Sequence, residues 1–242
     1  MAEFKLPTET IELPSKGLLY PSDSPLASGT IEMKYMTAKE EDILTNQSYI
    51  SDGTVFDKLF KSLIVSKINY DDLLIGDKNA ILVAARILGY GKDYNFSIAG
   101  REYTVDLSKV ENKPLNESLY TKGVNRFLYT LPSTGTNIEF KILTHKDESS
   151  IKNELTGLKK INPNSSPDIT TRLKYTILSV DGDEDRKSVR EFVDNYLLAR
   201  DAKAFRNHVR EIQPDVDLTF FPEGSPTRVD IPIGLGFFWP ND

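Results

Sequence analysis

The sequence predicts an α+β protein: a helical N-terminal block, a small antiparallel β-hairpin unit in the middle, and C-terminal helices ending in a further β-hairpin. Three observations carry this reading. Apolar residues recur at helical spacing within residues 37–90 and again after 144. After Gly91 the repeat shortens to two, as strands with one buried face require. Capping signatures stand where the helical stretches begin.

The first thirty residues place prolines at 7, 14, 21 and 25, which block helix and favour extended or turn conformations. Residues 1–36 are expected to form an extended Pro-rich arm, with a strand at Ile11–Leu13, a turn at Pro14-Ser15-Lys16-Gly17 and a further strand at Thr30–Met36. Thr37-Ala38-Lys39-Glu40 is a capping box that starts a short helix through Leu44. A second helix begins near Thr54, where Val55, Phe56, Leu59, Phe60 and Leu63 share helical spacing. Asn69 or Tyr70 opens a short turn. Asp77 is then expected to cap a buried helix over residues 79–90, with Gly89 as its left-handed C-terminal residue.

Beyond Gly91, Phe96 and Ile98, an Ala99-Gly100 turn, and Tyr103, Val105 and Leu107 read as a hairpin. Phe127, Tyr129 and Leu131 repeat the pattern with Ile138, Phe140 and Ile142, so a four-stranded sheet is conceivable in this region. Residues 37–143 thus form a helical block plus a β unit. Residues 144–242 form a helical region that ends in a hairpin and an aromatic tail. In that region Thr144 precedes an amphipathic stretch carrying Ile151, Leu155, Leu158 and Ile161. The loop INPNSSPDI is the best candidate internal boundary, and RLKYTILSV suits either strand or helix. Helices are expected over Arg186–Ala199 and onward to Pro214, and VDLTFF and TRVDIPI should pair across a PEGSP turn.

Composition narrows the function. The 242 residues carry 30 Lys+Arg against 36 Asp+Glu, a net charge of −6, with no dense basic run. A binder of nucleic-acid phosphates needs clustered cations, so that class is disfavoured. With no cysteine, disulfides, thiolate catalysis and thiolate-held metals are excluded. The opening MAEFKLPTET lacks the pattern of a secretion signal, and the apolar run Ala80–Ala85 is far short of the ~20 residues that span a bilayer. A cytoplasmic protein is expected.

No catalytic constellation stands out. His145 and His208, each among charged neighbours, read as solvated. There is no G-x-S-x-G elbow. GYGKDY lies at a helix end, where it cannot cradle phosphate as a helix start can. Asp181-Gly182-Asp183-Glu184-Asp185 resembles the start of a calcium loop, but Arg186 and Phe192 stand where that loop needs Gly and Glu. Neither metal nor cofactor is expected. What remains is interaction chemistry. Phe237, Phe238 and Trp239 at the end, with Pro14, Gly17 and Tyr20 in the arm, are the candidate partner-binding residues. For the aromatic tail, a strand tucked into the domain's own core is the open alternative.

The segments LPSKGLLYPSDSPLASGTIEMKYMTAKEEDIL, DKLFKSLI, DDLLIGDKNAILVAARILGYG, SVDGD and IPIGLGFFWP, in this order, resemble the baseplate hub subunits or hub assembly proteins of T-even-type contractile-tailed phages. The likeness is strongest over 13–94 and 173–240. It implies a late viral protein without enzyme activity or cofactor. Such a protein helps build the central hub of the baseplate through contacts with other hub or tail proteins, the tape-measure protein included. It would act in the host cytoplasm, and a resident subunit would stay in the virion tail while an assembly chaperone would leave. Some relatives carry cysteine pairs before the FFWP ending that would suit zinc. Here Phe220-Phe221-Pro222-Glu223-Gly224 stand instead, so packing must do that work. A tail hydrolase acting on cell wall or polysaccharide is the alternative of another class, and it would need two acidic side chains facing one cleft.

Overall fold

In the computed structural model, which describes residues 6–164, 166–222 and 226–238, β1 (Thr8–Glu12) and β2 (Thr30–Lys34) form an antiparallel ribbon with Ile11 opposite Ile31. The chain between them doubles back through a 3₁₀ turn at Pro25–Ser28. The Pro-rich segment is therefore not a free arm. Leu13, Leu19, Tyr20 and Leu26 are all buried, because their apolar side chains find the same core as the helices that follow.

Helix α1 (Ala38–Leu44) starts at the expected box. The fully buried Glu40 carboxylate accepts from the Thr37 N–H at 2.9 Å, the Thr37 hydroxyl at 2.6 Å, Lys34 at 2.8 Å and Ser62 at 2.6 Å. Burial raises its pKa, but these donors outweigh that and hold the carboxyl at about 2. The capping residue thus also fastens β2 to α3 (Val55–Leu63), which follows the short α2 (Gln47–Ser51).

Helix α4 (Ile75–Tyr90) begins earlier than the sequence suggests, with Leu74 at its cap position. Asp77 is not the cap but a first-turn residue whose side chain is buried. The helix also runs through Gly89, against which Met36 packs, and stops at Gly91, whose φ of 83° needs glycine. Arg86 is buried and reaches past this end. It donates to the carbonyls of Gly91 at 2.7 Å and Asp93 at 3.0 Å while facing the rings of Tyr90 and Tyr94.

Strands β3 (Asp93–Ile98) and β4 (Arg101–Asp106) turn at Ala99-Gly100, with φ of 52° and 80°, the positive angles of a two-residue hairpin loop. They do not join the next hairpin. β5 (Phe127–Thr130) and β6 (Asn137–Phe140) instead recruit a strand from beyond two helices, α5 (His145–Ile161) and α6 (Asp168–Thr176). That strand is β7 (Ile177–Val180), so the ambiguous RLKYTILSV is helix first and strand second. The two helices expected here are α7 (Arg186–Asn195), which stops short of the expected Ala199, and α8 (Ala199–Ile212), which takes Ala199 as its first residue. The N–H groups of both Tyr196 and Leu197 turn back to the Phe192 carbonyl, which closes α7. A two-residue ribbon, β8 (Thr219–Phe220) with β9 (Val229–Asp230), precedes the aromatic end.

One contiguous apolar cluster runs from Leu13 to Phe238 and draws on all three expected regions. Among the described residues no helix is long and apolar enough to cross a membrane. The segment after α8 closes the core by crossing the start of α4, where a side-chain carbon on Gly76 would lie 1.8 Å from the Pro214 carbonyl oxygen. Asn79 donates to Asp215 at 2.8 Å beside it. Gly76→Ala should therefore cost at least about 2 kcal/mol in urea unfolding. Gly157→Ala, in α5 with open space around it, should gain about 0.5–1 kcal/mol. Equal effects of the two substitutions would contradict this packing.

Candidate functional site

The turn after β1 is built around two left-handed residues, Lys16 with φ 50° and Gly17 with φ 76°. A side chain at Gly17 would lie 2.5 Å from the Ala27 carbonyl oxygen, so the turn closes tightly on the 3₁₀ segment. This closure presents Ser15 and Tyr20 to α4. The Ser15 N–H donates to Asp77 Oδ1 at 2.9 Å, and the Ser15 hydroxyl donates to Oδ2 at 2.7 Å. The Tyr20 hydroxyl donates to the same Oδ2 at 2.6 Å and accepts from the Leu74 N–H at 2.9 Å. Burial pushes the Asp77 carboxyl up, with the three donors opposing it. Burial also raises the Tyr20 hydroxyl, and Asp77 beside it adds to the rise, so the phenol keeps its proton and stays a donor.

The aromatic end docks on α3 and on the β3–β4 hairpin. Phe237 meets Tyr94 edge-on at 4.8 Å between ring centroids, and Phe238 lies 5.5 Å from Phe56. The two phenylalanines are perpendicular to each other and fully buried. The Tyr94 hydroxyl donates to the Pro232 carbonyl at 3.0 Å, which steers the chain inward. Of the six sequence candidates for partner binding, Pro14, Gly17, Tyr20, Phe237 and Phe238 are all buried within the chain itself, and Trp239 lies outside the described residues. For Phe237 and Phe238 the core alternative is the one observed. The reason is that Phe56, Tyr94 and Phe96 offer an aromatic surface that two phenylalanines cover better than water does.

A third cluster was not legible in the sequence. Asp57 of α3, Lys78 of α4 and His145 of α5 meet at the edge of a cavity of about 400 Å³, also lined by Glu148, Ser149, Lys152, Lys159 and Arg172. Asp57 Oδ1 accepts from Lys78 at 2.8 Å and from the Tyr70 hydroxyl at 2.8 Å. Burial raises the Asp57 carboxyl, but these partners prevail and hold it below the usual range. His145, expected to be solvated, is buried against the Tyr70 ring. Burial first, and Lys78 next, lower its pKa and favour the neutral ring.

Asp57, His145 and Ser149 have the composition of a nucleophile-activating triad, so the proton positions matter. The Lys78 ammonium lies 2.9 Å from His145 Nδ1 and can only donate. Nδ1 must therefore accept, which leaves the proton on Nε2, the nitrogen 3.4 Å from the Ser149 hydroxyl. A general base needs the opposite tautomer. Of the two carboxylates lining this cavity, Asp57 is paired with Lys78 and Glu148 with the two terminal guanidinium nitrogens of Arg172.

No protein-family model, no curated protein and no solved structure matches the chain. The sequence signal for the cavity was slight: the Thr144-x-x-Asp147 box starts α5 and so fixes His145 in its first turn. Its partners come from residues 57 and 78, which no local pattern connects to it.

Phe238→Ala should lower the unfolding free energy of the isolated chain by about 3–5 kcal/mol, because the ring leaves a cavity against Phe56 and Phe237. A substitution at the exposed Phe221 should stay within about 0.5 kcal/mol. An unchanged midpoint for Phe238→Ala would place this ring at a partner surface instead.

Proposed function

We propose that this chain is a non-enzymatic tail protein of a contractile-tailed phage, which takes part in assembling the central hub of the baseplate through protein–protein contacts. The observation that carries the reading is the ordered set of motifs running from residue 13 to residue 240, which resembles the hub proteins of T-even-type phages. Its physical support lies in where those motifs fall. The stretch with Ser15 and Tyr20 binds the helix carrying Asp77, and the ending with Phe237 and Phe238 packs on the helix carrying Phe56 and on the hairpin that follows Gly91. The resemblance thus covers the residues that build the framework rather than scattered surface positions. The acidic composition and the ion-paired state of the carboxylates at the cavity beside α5 agree with a scaffold role.

Whether the chain stays in the particle or leaves as an assembly chaperone turns on partner affinity in the finished hub. Co-expression of a tagged chain with each hub and tail protein should yield one complex that survives size exclusion, and failure with every partner would overturn the reading. A quantitative protein inventory of purified tails separates the two versions, since only a resident subunit is recovered in fixed ratio to the hub.

A further inference from the structure

The cavity beside α5 carries a charge imbalance that its own residues do not resolve. Its lining contains four permanent cations, Lys78, Lys152, Lys159 and Arg172, and two carboxylates, Asp57 and Glu148. Lys78 and Arg172 cancel those two carboxylates through direct ion pairs. Lys152 donates only to neutral acceptors, the carbonyls of Asp52 at 2.7 Å and Gly53 at 3.4 Å. Lys159 forms no ion pair or hydrogen bond among the described residues. His145 is held neutral, so it neither adds to nor removes this excess. Lys152 and Lys159 lie seven residues apart, two turns of α5, on the same face as the buried Ile151 and the half-buried Leu155 that floor the cavity.

We propose that this cavity is a docking site for an acidic segment of a partner protein, whose carboxylates bridge Lys152 and Lys159 while their methylene stems rest on Ile151 and Leu155. Charge complementarity selects the occupant: two uncompensated cations sit over an apolar floor, on a chain whose net charge is −6. The apolar floor suits the stems of Asp and Glu better than a bare inorganic anion. Two cations on an acidic chain are too few for a nucleic-acid backbone, whose binding depends on displacing many counterions. The site stands independently of the hub reading, since it requires only an acidic partner, whatever assembly that partner serves.

The test is fluorescence anisotropy of a fluorescein-labelled hexaglutamate peptide with the full chain at low ionic strength. Lys152→Glu combined with Lys159→Glu should weaken binding by about tenfold or more. Lys122→Glu combined with Lys203→Glu, at exposed lysines elsewhere, changes the net charge equally and should leave binding within about twofold. Unfolding midpoints of both variants should match that of the unmodified chain, and Lys159→Ala alone serves if the double cavity variant does not fold. Absence of hexaglutamate binding, or an equal loss in the control variant, overturns the site. Inorganic phosphate displacing the peptide at equal concentration would also overturn it, because the cavity would then be a small-anion site. The co-purification experiment can fail while this one succeeds, so the two readings fall separately.

Discussion

Asp77 sets the constraint on which the rest of the structure depends. Its carboxylate is fully buried in the first turn of α4 and has no ion-pair partner among the described residues. Burying such a group without compensation costs several kcal/mol. Three donors from the segment of Ser15 and Tyr20 offset part of that cost, aided by the positive end of the helix dipole. Removing the N-terminal segment would take these donors from Asp77 and expose Leu13, Leu19, Tyr20 and Leu26 to water. It is therefore part of the core, despite a proline content that suggests an arm.

Fixing Asp77 also fixes the rotation of α4 about its axis, and its neighbours in the same turn then engage other parts of the chain. Gly76 receives the backbone at Pro214, Lys78 reaches Asp57 and His145, and Asn79 reaches Asp215. One helical turn thus gathers the N-terminal turn, α3, α5 and the segment after α8. At the far end of α4, Arg86 joins the helix to the β3–β4 hairpin, on which Phe237 rests through Tyr94. The aromatic ending is held by Phe56 of α3 and Tyr94 of β3, and Asp57, the residue after Phe56, lines the cationic cavity.

How much of this could be read from the sequence depended on whether the deciding contact was local. The α+β class, the box at Thr37, the Ala99-Gly100 turn, the boundaries of α1 and the end of α8 follow from spacing and turn chemistry within a few residues. Asp before an apolar run usually caps a helix, but the partners that decide the role of Asp77 lie 57 and 62 residues away. Gly89 suggests a helix end on its own, but the contact that favours glycine there is with the distant Met36. The pairing of β6 with β7 crosses two helices, so alternation alone could not show it. The aromatic ending was legible as important but not as inward-facing, because its surroundings come from Phe56 and Tyr94.

The proposed role in a baseplate hub and the proposed acidic docking site both require that this frame holds in the free chain. A double-mutant cycle on Tyr20→Phe and Asp77→Asn, read by urea unfolding at neutral pH, tests that most directly. A coupling energy of at least about 1 kcal/mol is the expected result, since the phenol and the carboxylate share one buried hydrogen bond. Effects that add to within about 0.3 kcal/mol would contradict the account, for Asp77 would then not be what holds the N-terminal segment in place.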